Sequence, residues 1–367
     1  MKRIFYFLSI IVTLFCCVAV YSQTPQKLKT EEEPWRVLEK ARLAYKSGNY
    51  GDALRLSENA KQNRIAQCEW YTYVLNSAFH VSSIQHAGDD IEKVLAALQE
   101  DGLRDAKAIL DYFVNMYSAE YFNNSVAELR AFAENRRDYP EAEYLIGKVY
   151  QIEGEYDFAY RYYDKAWKLA DKLDVPDEKY DILYSMADLA IMTGNEDRYE
   201  KTLLLVLNSD KTFMDAGFSN SFSQVLSRPK SMSPDRFFQM YRSGNVRSVL
   251  ACYKLSEFYA DHGEKSKSLT MLAYGMIAAT NHISTIISDR DSDYKYTTLR
   301  DFFVEISKYS DIVQWGIDNG VWEHFYDFAL KVSELGNENF SQNLFLILSE
   351  CEPEEYWRTA AKKLVKR

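Results

Sequence analysis

The segment between Ile146 and Ala166 constrains the fold of this chain more than any other part of its sequence. Small residues and tyrosines recur in it at helical spacing on both sides of Gly154, namely Gly147, Tyr150, Tyr156, Ala159, Tyr163 and Ala166. Two packed helices lie about 8–10 Å apart, and only Gly, Ala or Ser fits where they are closest. Glycine also readily adopts the left-handed conformation that ends a helix. The pattern therefore predicts two helices that turn at Gly154 and cross near Gly147.

The same pattern of small residues surrounds four other glycines. The five turn glycines are Gly48, Gly154, Gly194, Gly263 and Gly336. The small residues expected at the closest crossing of each helix pair are Ala41, Gly147, Ala187, Ser256 and Ala329. Successive turn glycines are 106, 40, 69 and 73 residues apart, close to whole multiples of a period of about 34 residues. Degenerate helices are expected between the pairs, at 65–84, 89–99, 103–117 and 125–135.

This arrangement resembles the tetratricopeptide repeat (TPR), a helix–turn–helix unit that stacks on copies of itself. The resemblance is strongest over 137–175, covers 34–63 as well, and weakens from 179–207 onward. It implies an all-α fold over about residues 31–367, in which stacked antiparallel helix pairs form a right-handed superhelix, an α-solenoid. It also implies a concave surface that binds another protein or a peptide, with no cofactor.

The N-terminus predicts export. Lys2 and Arg3 precede an apolar run from Ile4 to Val20, and small residues then suit cleavage after about Ser22. An uncleaved membrane anchor is one alternative, because the run is close to the length of a membrane span. Lipidation at Cys17 is another, because the residues before it resemble a bacterial lipobox. We expect a protein of the bacterial periplasm or outer envelope that meets a membrane only through such an anchor.

Composition along the chain predicts five segments. These are a signal peptide at 1–22, a linker at 23–30, an N-terminal helical array at 31–207, an irregular junction at 208–232 and a C-terminal helical array at 233–367. The net charge is −10, and it becomes −12 when residues 1–22 are removed, because they carry two cations and no acidic residue. Nucleic acids and anionic lipid surfaces attract basic proteins, so neither is an expected partner.

The sequence contains no combination of residues that predicts catalysis or a metal site. Asp289, Asp291 and Asp293 begin like a calcium-binding loop, but Tyr294 stands where the loop needs glycine and Arg300 where it needs glutamate. The histidines are scattered, and no nucleophile motif or phosphate-binding loop is present. We therefore expect a protein that is not an enzyme.

The expected binding residues lie on the first helix of each pair, on the face away from the small packing residues. They are Arg42, Tyr45, Tyr144, Lys148, Gln151, Tyr184 and Asp188. Such a mixture of aromatic and polar side chains can hold an extended peptide or a helix. Two alternatives stay open at this point. One is a solute- or lipid-binding helper of an envelope transport system, and the other is an unrecognised hydrolase.

Overall fold

The computed structural model describes residues 25–80, 93, 96, 99, 119–210, 213, 233–239 and 246–366. The predicted signal peptide, most of the predicted junction at 208–232 and the predicted helices at 89–99 and 103–117 lie outside these residues, apart from isolated positions. The chain divides into two compact units, with the boundary between Lys179 and Tyr180. The sequence predicted two arrays at 31–207 and 233–367 instead.

Every regular element in the described ranges is a helix, so the structure shows the predicted all-α class. Unit 1 contains α1 (Pro34–Lys46), α2 (Tyr50–His80), α3 (Ala119–Asn135), α4 (Pro140–Ile152) and α5 (Tyr156–Lys168). Helix α6 (Glu178–Met192) begins at the unit boundary. Helix α2 is continuous through residue 65, so it includes most of the degenerate helix that was expected to stand alone at 65–84.

The described helices that follow α6 in unit 2 range from 5 to 26 residues in length. They are α7 (Glu196–Asn208), α8 (Pro234–Phe238), α9 (Arg247–Asp261), α10 (Lys265–Arg290), α11 (Leu299–Ile306), α12 (Ser310–Asp318), α13 (Val321–Glu334), α14 (Glu338–Cys351) and α15 (Glu355–Leu364). Its core includes a group of aromatic rings in which Phe237 of α8 packs against Phe328 of α13 and Phe340 of α14.

The five turn glycines connect successive helices as predicted. Their φ angles are 76° at Gly48, 80° at Gly154, 70° at Gly194, 74° at Gly263 and 88° at Gly336. The hydrogen bonds are the same at every turn: in the best example, the N–H of Gly154 donates to the carbonyl of Gln151 and the N–H of Glu155 donates to the carbonyl of Tyr150. These two bonds define the Schellman motif, which satisfies the last carbonyls of a helix. The prediction of left-handed turn glycines is confirmed.

The small residues lie at buried crossings, also as predicted. Ala41, Ala187 and Ala329 are fully buried. At the α9–α10 crossing, the hydroxyl of Ser256 donates to the carbonyl of Ser268 at 2.9 Å, and the Ser268 hydroxyl donates to the Ser256 carbonyl at 2.7 Å. Each serine thus combines a small volume with a satisfied polar group, which a buried hydroxyl requires.

Adjacent helices pack in pairs, and the pairs pack on one another within each unit. The tightest pairs are α1 with α2, α4 with α5, and α9 with α10. In unit 1, α4 also packs on α2 and α1. In unit 2, α9 packs on α7, and α13 packs on α10. The first helix of a pair therefore lies against the second helix of the pair before it, while α3, α8, α11 and α12 are additions to this series.

Candidate functional site

Five of the seven predicted binding residues come together in unit 1. Arg42 and Tyr45 lie on α1, and Tyr144, Lys148 and Gln151 lie on α4. We call these five residues the α1–α4 surface. All five side chains are partly exposed to solvent. The packing of α4 on α1 explains why residues a hundred positions apart in the sequence share one surface.

Lys148 connects the two helices of this surface. Its ammonium nitrogen lies 4.8 Å from the ring centre of Tyr45 and 5.6 Å from that of Tyr144. A cation over an aromatic ring at these distances contributes about 0.5–1 kcal/mol where the pair is exposed. Tyr45 is held in turn by an edge-to-face contact with Tyr50, with ring centres 5.7 Å apart. Burial raises the pKa of Tyr45, and the neighbouring Tyr50 raises it further, so its hydroxyl stays neutral at physiological pH.

Arg42 adds a paired charge at the edge of the α1–α4 surface. Its guanidinium donates to Glu178 Oε1 at 2.5 Å, and it lies 3.9 Å from Glu39. The side chain of Arg42 is about one third exposed, so this ion pair contributes little to stability. The α1–α4 surface therefore has a positive and a negative group at its edge, in addition to two tyrosine rings.

Gln151 is oriented by a core residue. Its side-chain oxygen accepts a hydrogen bond of 2.6 Å from the hydroxyl of Tyr163, which is fully buried. The ring of Tyr163 also contacts Tyr144, with ring centres 5.7 Å apart. Tyr163 of α5 therefore holds the side chains of Gln151 and Tyr144 in position, so the packing of α5 on α4 orients this part of the α1–α4 surface.

Tyr184 and Asp188, the other two predicted residues, belong to unit 2 and contact α9 there. The Tyr184 hydroxyl accepts from the N–H of Ala251 at 3.0 Å and donates to the carbonyl of Arg247. Asp188 accepts from Lys254 at 3.0 Å. Burial raises the pKa of Tyr184 well above its usual range. The structure gives both side chains a role in packing α6 against α9.

Unit 1 also contains buried charges that the sequence did not indicate. Glu143 is almost fully buried and accepts from Lys165 at 2.5 Å and from Lys61 at 3.1 Å. Arg64 is equally buried, pairs with Asp174 and stacks on a tyrosine ring. Such residues look like surface residues in a sequence, because burial of a charge depends on partners far away in the chain.

Unit 2 contains a polar cleft, which the sequence did not indicate either. Its volume is about 450 Å³, and one wall is formed by Asn281, Ser284, Thr285 and Ser288 of α10. These four residues are spaced i, i+3, i+4 and i+7, so they share one face of the helix. That uncharged polar stripe is the signal that could have indicated the cleft.

Neither a metal site nor a membrane span is found in the described part of the chain. No group of three or more His, Cys, Asp or Glu side chains in it is arranged to hold a metal ion. Asp289, Asp291 and Asp293 lie exposed, and the N–H of Asp293 donates to Asp291 Oδ1 at 3.0 Å. Among the described helices, none is both long and apolar enough to cross a membrane.

Comparison with known proteins gives a relative without an assigned function. The chain is 30% identical over 338 residues to an uncharacterised protein of Treponema pallidum (strain Nichols), and the match covers 91% of this chain and 90% of the relative. No family model matches the sequence.

Proposed function

The chain belongs to the family of this Treponema pallidum protein, and we propose that it is a non-enzymatic scaffold that binds another protein on the α1–α4 surface. The observation that carries this proposal is the contact of Lys148 of α4 with the rings of Tyr45 on α1 and Tyr144 on α4, which joins two helix pairs in one surface. A surface built from two pairs spans more length than one helix offers, which suits an extended segment or a helix of a partner.

The proposed frame for this surface is a TPR-like α-solenoid. Three observations support it: the identical turns at five glycines, the small buried residues at the crossings, and the packing of α4, α9 and α13 on the second helix of an earlier pair. A repeat of this kind cannot bury its apolar face alone, and stacking gives neighbouring pairs a continuous core. The added helices α3, α8, α11 and α12 would be insertions between repeats.

Tyrosine and arginine give this surface the composition of a binding site. These residue types are enriched among the side chains that carry most of the binding energy at protein interfaces. Tyr45 and Tyr144 are already fixed by Tyr50, Lys148 and Tyr163, so they lose little conformational freedom when a partner binds. The paired charges of Arg42 and Glu178 offer polar groups at the edge.

We place the scaffold in the bacterial periplasm or outer envelope. The support is the basic, apolar and small-residue pattern of residues 1–22. Determination of the N-terminal residue of the protein purified from its own cells distinguishes cleavage near Ser22 from lipidation at Cys17 and from an uncleaved anchor.

The scaffold proposal is tested by crosslinking and affinity capture from the protein's own envelope fraction. The full chain is compared with the double variant Tyr45→Ala/Lys148→Ala. The matched control is Tyr156→Ala/Lys168→Ala, which removes an exposed tyrosine and an exposed lysine from α5. Melting temperatures are recorded for all three, so that loss of binding is separated from loss of folding.

We expect a specific partner that is retained by wild type and by the α5 control. The α1–α4 variant should retain at least about tenfold less of it, because interface tyrosines commonly contribute about 2 kcal/mol or more. Recovery of no protein, or equal recovery by both double variants, would overturn the assignment of this surface.

A further inference from the structure

The polar cleft of unit 2 is bounded by elements that are fixed to one another. One wall is the C-terminal half of α10, and the other is the segment 294–296 that follows it. The hydroxyl of Tyr296 donates to the carbonyl of Asp235 at 3.2 Å, and the Asp235 carboxylate accepts from the N–H of Leu299 at 2.8 Å. Asp235 of α8 thus holds the C-terminal end of this segment and the first residue of α11.

The hydroxyl groups on the α10 wall present acceptors. Thr285 donates its hydroxyl proton to the carbonyl of Asn281 at 2.9 Å, and Ser288 donates to the carbonyl of Ser284 at 2.9 Å. A hydroxyl oxygen has two lone pairs besides its proton. Since the protons are used inside the helix, the lone pairs remain for a donor in the cleft. The amide of Asn281 adds both a donor and an acceptor.

Two tyrosines supply the aromatic part of the lining. Tyr294 is half-buried, and burial raises the pKa of its hydroxyl. Tyr296 is anchored to Asp235 as described. The polar end of the Tyr296 ring is therefore directed to a protein partner. Flat ring surfaces beside hydrogen-bonding groups suit a ligand that has C–H faces and hydroxyl edges.

The charge of the cleft narrows the class of ligand. Among the described residues that line the cleft, Lys295 is the one with a charge, and none has a carboxylate. Divalent cations prefer carboxylate groups, so this cleft is a poor site for a divalent cation. A lipid tail would offer no hydrogen bond to the amide of Asn281, and a buried amide without a partner costs free energy.

We propose that this cleft binds a neutral saccharide of one or two sugar rings. The sugar hydroxyls would donate to Thr285 and Ser288 and accept from Asn281 and Lys295, and the ring face would pack on the tyrosines. The cleft volume lies within the range of about 300–1,000 Å³ that is usual for small-ligand sites. This site is separate from the α1–α4 surface, so it neither requires nor excludes the scaffold function.

The test uses two threonines of the same helix as a matched pair. Thr285 and Thr270 both lie on α10 and both donate to the carbonyl four residues earlier, but Thr285 lines the cleft and Thr270 does not. The full chain and the variants Thr285→Ala, Asn281→Ala and Thr270→Ala are titrated by saturation-transfer NMR and calorimetry. The probes are maltose, cellobiose, sucrose and N,N′-diacetylchitobiose, with inorganic phosphate and citrate as anionic probes.

At least one of the four sugars should bind saturably with a Kd below about 10 mM. Thr285→Ala and Asn281→Ala should each weaken it about fivefold or more, the loss expected for one hydrogen bond, and Thr270→Ala should change it by less than about twofold. Three results would each overturn the proposal. They are the absence of sugar binding below that Kd, sugar binding that both cleft variants leave unchanged, and binding of phosphate or citrate alone that Lys295→Ala abolishes.

Discussion

Gly147 of α4 lies directly against the ring of Tyr163 of α5. A Cβ atom on residue 147 would be 2.6 Å from Cδ1 and 2.7 Å from Cε1 of that ring, and 3.3 Å from the carbonyl oxygen of Ala159. The ring cannot move aside easily, because it is fully buried and its hydroxyl is bonded to Gln151. The absence of a side chain at residue 147 is therefore what allows α4 and α5 to approach each other.

Substitution of Gly147 should destabilise unit 1 in proportion to the size of the new side chain. Gly147→Ala should lower the free energy of unfolding by about 1–3 kcal/mol, as overpacking of a core does, and Gly147→Leu should lower it further. Urea unfolding followed by circular dichroism measures both. The control is Gly51→Ala on α2, where an added Cβ meets nothing within 4 Å.

The control substitution should have the opposite sign. Alanine is favoured over glycine inside a helix by about 0.5–1 kcal/mol, so Gly51→Ala should be neutral or stabilising. An unfolding midpoint that Gly147→Leu leaves unchanged would contradict both the close crossing and the TPR-like interpretation.

Gly154 tests the turns separately from the crossings. Its φ is 80°, and an added Cβ would meet nothing within 4 Å, so a substitution there acts on the backbone alone. Gly154→Ala should destabilise by about 1–2 kcal/mol, the cost of a left-handed conformation for an ordinary residue. Gly154→Asn should cost less, since asparagine tolerates this conformation. Equal costs for the two variants in urea unfolding would argue against a conformational origin.

The turns and crossings were predictable because their causes are local. A left-handed helix end requires glycine at one position, and a close helix crossing requires a small residue about two helical turns earlier. Both requirements appear in the sequence around Gly154 and Gly263. The five residues of the α1–α4 surface followed from the same register, because residues on one helix face recur every three or four positions.

What could not be predicted depends on contacts between distant parts of the chain. Tyr184 has the same helical position as Tyr144, but in the structure its hydroxyl is bonded to the backbone of α9. Glu143 is buried because Lys61 and Lys165 reach it from other helices. Helix α2 continues past residue 65, where the sequence predicted a separate helix, and it packs on α3 and α4.

His324 should make unit 2 sensitive to acid. Its ring stacks on Tyr253 with ring centres 3.6 Å apart, and its Nδ1 donates to the carbonyl of Gly320 at 2.5 Å. Burial lowers the pKa of His324 below its ordinary 6.5, although the bond to Gly320 opposes this. The stability from neutral His324 is therefore present above pH 6.5 and is lost as the pH falls through the lowered pKa.

His324→Gln should reduce the loss of stability between about pH 7.5 and pH 5. We expect the difference in Tm across that interval to be smaller for His324→Gln than for wild type, because glutamine carries no charge at either pH. The control is His262→Gln, because the Phe258 carbonyl and then Glu196 raise the pKa of His262. Its contribution is present at low pH, so removing it should not protect against acid. A Tm profile that is identical for wild type and His324→Gln would disprove the assignment.

Glu352 should make unit 2 less stable at alkaline pH. Its side chain is fully buried where α14 ends, and neither carboxyl oxygen has a hydrogen-bond partner among the described residues. Burial, followed by the nearby charge of Glu354, raises the pKa of Glu352 from 4.5 to about 9, while Arg358 opposes the shift. The C-terminal end of α14 carries a partial negative charge from the helix dipole, which also disfavours an ionised carboxylate at Glu352. Glu352 is therefore protonated at neutral pH in the folded protein.

A raised carboxyl pKa contributes stability that is complete below pH 4.5 and is lost as the pH rises towards 9, because the unfolded chain ionises first. Glu352→Gln keeps the shape of the side chain and cannot ionise. Relative to wild type, the variant should gain at least about 1 kcal/mol between about pH 5 and pH 9, since one pKa unit corresponds to about 1.4 kcal/mol. Urea unfolding at both pH values measures the gain, and Glu355→Gln, which removes an exposed carboxylate from α15, is the control. If Glu352→Gln and wild type lose stability in parallel as the pH rises, Glu352 is ionised in the folded protein and this account of the α14 end is wrong.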